Sequence, residues 1–337
     1  MKQKQHKLDL NTLLIQHREI PLLAVLVLLL VGVSFRVPGY VGNNYMNILK
    51  GGAINTVMAS GMLLVLLIGS IDISVASTLA FVGAVSGMLM RDGHIATIPG
   101  MLAVGVGLGA VVGAVNGVLM AYGKVLPIIV TLGLSYVTRA MIPMDWLLGL
   151  NKIARLDLTD TFKVFMLDWY FLGFPLLVWT AVAVVAIIGV FLRFTRIGRN
   201  LYAVGSNEEA AKVRGVHTSV VKVLAHTICG MTAGLGGIMW LGYYNAVEKS
   251  TATGDEMYVI AACVLGGVAV TGGYGKITGV VIGALMIAVI NNAIPQLNIG
   301  NAMITEFVKG LLLLLAILLN VLLRRAAARR ELLGRNI

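Results

Sequence analysis

The chain has 337 residues, of which 58% are hydrophobic and 12% charged, with 40 glycines, a formal net charge of +11 and mean hydropathy +0.91. Soluble domains of this length carry about 25% charge, so the composition excludes an ordinary soluble globular protein. The two cysteines, Cys229 and Cys263, lie in apolar runs and exclude a disulfide framework, and the positive charge is split among separate loops, which excludes a nucleic-acid surface.

Apolar runs of about 20 residues with few charges read as membrane spans. About ten are predicted, over 20–36, 51–69, 71–90, 98–122, 126–147, 172–192, 218–242, 257–273, 277–298 and 303–323. The expected fold is an all-α integral membrane bundle. A single transmembrane domain covers 20–323, with a cytoplasmic segment at 1–19, a loop at 193–217 and a basic cytoplasmic tail at 324–337. Lys2, Lys4 and Lys7 precede the apolar Pro21–Phe35, but no small-residue cleavage site follows, so this run is read as a retained span.

Orientation follows from the Lys/Arg bias of the loops. With the N-terminus inside, Lys124, Arg193, Arg196, Arg199, Lys212, Arg214, Lys222, Lys276, Arg324, Arg325, Arg329, Arg330 and Arg335 fall on the same side as Lys2, Lys4, Lys7 and Arg18. A smaller set, Arg36, Lys50, Arg91, Lys152, Arg155, Lys163 and Lys249, falls outside. Both termini are then cytoplasmic. All four tryptophans lie toward the outer side, as an interfacial belt does.

Glycine spacing predicts how spans pack. Gly105, Gly109, Gly113 and Gly117 recur along one span, and Gly275, Gly279 and Gly283 along another, each series placing a smooth groove on one helix face. Both run on to an amide, Asn116 and Asn291-Asn292, which points to two related halves.

Several polar residues lie within or between apolar runs. Asp72 reads either as an N-cap of the following span or as a residue at a broken helix lining a route. Arg139 must face protein or water, with Asp145 or a substrate as its partner. Glu306 and Lys309 can meet on one helix face. Asp72, Thr131, Arg139 and Glu256 are the translocation-path candidates. No ladder of carboxylates or histidines suggests a proton relay. Gly117…Gly123-Lys124-Val125 lacks the spacing and hydroxyl of a phosphate-binding loop. The histidines and cysteines make no metal pattern. With no catalytic motif, the chain is read as a non-enzyme, and any pumping energy must come from another polypeptide.

The most distinctive segment is Arg193–Lys222. Asn207 can cap a short helix; Glu208 and Glu209 suit its first turn, and Lys212 and Arg214 its last. Gly215 supplies a left-handed stop. Below roughly 12 residues such a helix does not persist alone, so it is expected to rest against something.

Several of these segments resemble one family. Ser70-Ile71-Asp72-Ile73-Ser74-Val75-Ala76-Ser77, Leu126-Pro127-Ile128-Ile129-Val130-Thr131-Leu132-Gly133 followed by Arg139, Thr195–Asn207 leading into Ala210–Val216, and Glu256–Gly267 with Gly272-Gly273-Tyr274-Gly275 are similar in order to permeases of bacterial ATP-binding-cassette importers for simple sugars, the ribose, xylose, galactose and autoinducer-2 group. Ser70 and Ala76 replace the family's usual glycines, and Thr271 and Tyr274 also depart from it.

The resemblance implies a pair of permease subunits, identical or related, above a cytoplasmic ATPase and beneath a periplasmic sugar-binding protein, in the bacterial inner membrane and in contact with lipid. Gly198, Arg199, Asn207, Glu208, Glu209, Ala210, Ala211, Lys212, Arg214 and Gly215 are then the ATPase-coupling residues. No cofactor is expected in the chain itself, ATP and magnesium being expected on the partner. The rival reading is a stand-alone ion-coupled carrier or channel for a small polar solute, motivated by Asp72, Arg139 and Glu306.

Overall fold

Tyr40–Leu67 form one uninterrupted helix of 28 residues, and nearly all of it from Gly52 onward is buried by other helices. It starts well before the expected boundary at 51. The asparagines at 43, 44 and 47 and Lys50 lower the hydropathy of that stretch without stopping a helix. Tyr40, Asn44 and Ile48 form a buried i, i+4, i+8 stripe, and Asn44 Nδ2 donates to Tyr40 O at 3.1 Å.

The computed structural model describes residues 19–95, 97–142, 166, 168–297, 304, 307, 310, 311, 314 and 318. In chain order these form α1 (Glu19–Arg36), α2 (Tyr40–Leu67), α3 (Val75–Arg91), α4 (Ile98–Ala121) and α5 (Pro127–Met141). A hairpin follows, β1 (Tyr170–Phe171) and β2 (Phe174–Pro175), paired antiparallel with Phe171 opposite Phe174. Then come α6 (Leu176–Phe194), α7 (Arg196–Ser206), α8 (Glu208–Val213), α9 (Thr218–Tyr244), α10 (Asp255–Leu265) and α11 (Ile277–Gln296). The hairpin departs from the all-α expectation. The termini, Asp145, Glu306 and Lys309, and most of the 303–323 span lie outside the described residues.

Five described helices, α2, α4, α6, α9 and α11, are long and apolar enough to cross a membrane; α1, α3 and α5 are shorter apolar helices. The expected span at 257–273 is a correction. Its helix, α10, has 11 residues, or about 16 Å at 1.5 Å per residue, half of a hydrocarbon core of about 30 Å. The cause is Gly267, at φ +91°. Gly267 N donates to Val264 O at 3.0 Å and Val268 N to Cys263 O at 3.0 Å, the paired bonds of a Schellman stop. Hydropathy registers the apolar side chains there but not the backbone that ends the helix.

Helix α9 sits centrally, against α4, α2 and α3, while α2 also packs on α11, α6 and α10. The first glycine series builds the α4–α9 contact. A Cβ on Gly105 would strike Ile238; on Gly109, the Gly230 carbonyl; on Gly113, the His226 carbonyl; on Gly117, the Val223 backbone. In the second series, Gly279 meets the carbonyl of Gly266, which caps the C-terminus of α10, and Gly283 that of Ala262 within α10. Gly275 does not belong to that helical series. It precedes α11, in the loop, against Leu63 and Val268.

Candidate functional site

Two structures stand out from the apolar packing: a polar break between α2 and α3, and a charged elbow made by α7 and α8.

At the break, Gly69 takes φ +72°. Gly69 N donates to Leu66 O at 2.9 Å and Ser70 N to Val65 O at 3.1 Å, again a Schellman stop. The chain then runs four residues before α3 begins at Val75. Asp72 lies in this turn, 2% exposed. Its Oδ1 accepts from Ser74 N at 2.9 Å and Ser74 Oγ at 2.6 Å. Asn116 Nδ2, from α4, donates to Ser74 Oγ at 2.8 Å. Thr131 Oγ1, from α5, accepts from Ile73 N at 3.2 Å.

On the other side, His226 of α9 is fully buried. Its Nδ1 lies 3.3 Å from Asp72 Oδ2 and its Nε2 3.0 Å from Ser70 Oγ. Burying a carboxyl group is costly unless it is hydrogen-bonded, and these partners satisfy both oxygens of Asp72. Helices α4, α5 and α9 thus each contribute one polar side chain to hold the break. Asp72 is not the N-cap of α3, which is Ser74; it binds the entry turn and the neighbouring helix together.

The elbow follows α6. Thr195 caps α7 by accepting from Gly198 N at 2.9 Å. Gly198 is buried, and a Cβ there would meet the Phe191 carbonyl, so glycine lets α7 fold back on α6. Arg199 is exposed, and its Nη1 donates to Phe194 O at 3.4 Å. Asn207 caps α8, its Oδ1 accepting from Ala210 N at 2.9 Å. Gly215, at φ +81°, ends it, with Gly215 N bonded to Lys212 O at 2.9 Å and Val216 N to Ala211 O at 3.1 Å. Both ends of this six-residue helix are therefore closed as the sequence suggests.

Its support comes from α9. Both carboxyl oxygens of Glu208 lie 2.7 Å from Lys222 Nζ, and Thr218 Oγ1 donates to Oε1 at 3.1 Å. Burial raises the Glu208 pKa, but the hydrogen bonds and charge of Lys222, with Thr218 and Lys212, outweigh it and hold the carboxyl below its ordinary value. Lys212 bonds Glu209 at 2.8 Å. Ala211 is buried, whereas Ala210, Lys212 and Arg214 are exposed and Val213 is 90% exposed. One face of α8 is anchored, and the opposite one is presented.

The elbow and the break touch. A Cβ on Gly205 would collide with the Leu67 carbonyl and the Gly273 nitrogen, and one on Gly272 would approach Gly69 N and the Gly205 carbonyl. Gly273 N donates to Leu67 O at 2.8 Å, and Tyr202 Oη donates to Gly275 O at 3.0 Å.

Of the path candidates, Asp72 and Thr131 meet at the break. Arg139 does not join them: its Nη1 donates to Lys249 O at 2.8 Å and Thr251 O at 3.0 Å, clasping the loop between α9 and α10. Glu256 sits in the first turn of α10, half-buried, also apart from the break. Sequence reasoning missed His226. Its signal was weak, a lone histidine one helical turn after Lys222 in an apolar run. It also missed Ser70 as a bonding residue and Gly205 as a contact.

A bundle of apolar helices with one buried broken helix and an anchored, outward-facing elbow defines a multi-pass membrane permease. Residues 44–317 match the family described as branched-chain amino acid transport system / permease component, and the chain belongs to that family, whose members are transport subunits and not enzymes. It is 34% identical over 305 residues to the ribose import permease protein RbsC of Escherichia coli (strain K12), covering 89% of this chain and 92% of the relative. The Bacillus subtilis (strain 168) ribose import permease protein RbsC is 35% identical over 304 residues, covering 89% and 91%. The autoinducer 2 import system permease protein LsrC of Escherichia coli O9:H4 (strain HS) is 32% identical over 324 residues, covering 93% and 90%. No solved structure matches the chain.

Proposed function

We propose that this chain is the membrane-spanning subunit of an ATP-binding-cassette importer, carrying a simple sugar or sugar-like molecule inward by alternating access. Similarity over most of the chain to permeases named for ribose and autoinducer 2 supports the substrate class. Partners of this reading are a cytoplasmic ATPase that binds ATP and magnesium, a periplasmic binding protein, and a second permease subunit, identical or related. The bundle lies in the inner membrane with both termini and the elbow cytoplasmic, as the loop charges favour. The glycine contacts of α4 with α9 and of α10 with α11 support two related halves that rock against each other.

The observation that carries the reading is α8. It is capped at both ends and anchored through Glu208, and it presents Val213 and Arg214 outward on a helix too short to stand alone. That geometry suits a peg seated in a groove of the ATPase, with coupling residues Asn207–Gly215.

The test is uptake of labelled ribose and labelled autoinducer 2 by proteoliposomes holding the permease, its ATPase and the binding protein. ATP-dependent uptake of one of them is expected. Uptake driven by a solute gradient with no ATPase present overturns the reading in favour of a stand-alone carrier.

A further inference from the structure

We propose that Asp72 and His226 form a positioning latch through which movement of the elbow reaches the transport helices, with Gly205 as the point of entry. The proposal rests on the reading that the elbow meets the partner ATPase, and it adds the residues that would transmit the motion beyond that contact.

The contact at Gly205 is backbone against backbone. Leu67 O, in the last turn of α2, already accepts from Gly273 N, and a Cβ on Gly205 has no room beside either atom. No side chain lies between the elbow and the end of α2 there to absorb a displacement, and close-packed interiors transmit strain. From Leu67 the chain reaches Ser70 and Asp72 through a turn fixed by two hydrogen bonds. A push on Leu67 therefore moves Ser70 and Asp72 with it.

These two residues grip one imidazole at both nitrogens, Ser70 at Nε2 and Asp72 at Nδ1. Two contacts fix the ring's orientation as well as its position. All three side chains are at most 3% exposed, so water has no ready access to replace a broken bond. A displaced break must either carry α9 along or leave buried polar groups unpaired, which is unfavourable. The same turn holds α4 through Ser74 and Asn116 and α5 through Thr131 and Ile73 N. The break is thus the one described place where the elbow side of the fold is hydrogen-bonded to three helices at once.

The test uses the permease assembled with its ATPase in nanodiscs. Spin labels are placed at the exposed positions Tyr136 on α5 and Phe35 on α1, neither of which is joined directly to the elbow, and their separation is measured before and after trapping with ATP and vanadate. In the otherwise wild-type complex the separation changes on trapping. In His226→Phe and in Gly205→Ala the ATPase stays bound and hydrolyses ATP, but the change is lost. His226→Gln, whose amide offers both a donor and an acceptor, recovers part of it.

An unaltered response in a folded His226→Phe or Gly205→Ala complex overturns the latch, as does absence of any response in the wild-type complex. Ser70→Ala removes the contact at Nε2 without adding volume; it is expected to lose part of the change, and it carries the test should His226→Phe or Gly205→Ala fail to fold. Co-purification of an Arg214→Glu permease with its ATPase is scored separately. Undiminished binding there would overturn the elbow reading, whereas the label response in complexes that do bind judges the latch.

Discussion

Gly109 and Gly230 face each other so closely that a methyl group on either would run into the other's carbonyl oxygen. The relationship is reciprocal, and one turn along a Cβ on Gly234 would likewise run into the Gly105 carbonyl. In a membrane, where lipid tails are as apolar as side chains, such close backbone approach is what allows helices to associate by dispersion contacts. Substituting either residue separates α4 from α9. Gly109→Ala and Gly230→Ala are each expected to destabilise by about 1–3 kcal/mol, the usual cost of overpacking. Thermal unfolding of the detergent-solubilised protein checks this. The control is Gly107→Ala, where nothing lies within 4 Å, which should leave the midpoint unchanged or slightly raised.

Asp72 has partners because α9, α4 and the α3 entry turn supply them. Removing the imidazole in His226→Ala leaves a buried carboxyl group short of a partner, and the expected loss is about 1–3 kcal/mol. Asp72→Asn keeps the acceptor for Ser74 and is expected to be milder. The order of the two unfolding midpoints is the measurement, and a milder His226→Ala would contradict the account.

Glu208 ties α8 to α9. Its pKa is held below the ordinary carboxylate value, so its contribution is complete above that ordinary value and is lost as pH falls through the lowered one. Amide exchange of residues 210–216, corrected for the intrinsic rate, should accelerate on acidification through that window. Glu208→Gln should exchange fast at every pH. Lys222→Ala should weaken α8 by about 1 kcal/mol or less, since the pair is partly solvated.

Arg139 holds the loop between α9 and α10 by two carbonyls. Arg139→Ala is expected to expose residues 246–254 to protease, with cleavage several-fold faster than in the wild type. Arg139→Lys should protect only in part, because both bonds come from the terminal Nη1 and the shorter lysine side chain does not reach as far.

Val213 and Arg214 face outward on an anchored helix. Val213→Asp and Arg214→Glu should each reduce co-purification of the ATPase at least about tenfold, in the range typical of interface hot spots. Neither change should alter the amount of permease in the membrane, because both side chains are exposed.

The membrane class, the five long apolar helices, the α4 glycine series and both ends of α8 could be read from residue order alone. Each is set locally: hydropathy over about 20 residues, a four-residue repeat on one helix face, and a cap whose donor and acceptor lie within a few positions of each other. Asn207 and Gly215 behave as their neighbours dictate. The fold decided what depends on distant partners. Gly267 cuts an apolar run into half a crossing by a backbone turn that hydropathy does not register. Arg139 answers to carbonyls more than 100 positions away, which carry no side-chain signature to search for. His226 becomes meaningful only when α9 lies against the break and brings it to Asp72, 154 positions earlier. Short-range rules describe how a chain turns, but the partner of a buried polar group is chosen by which helices pack together, and that choice is made by the whole bundle.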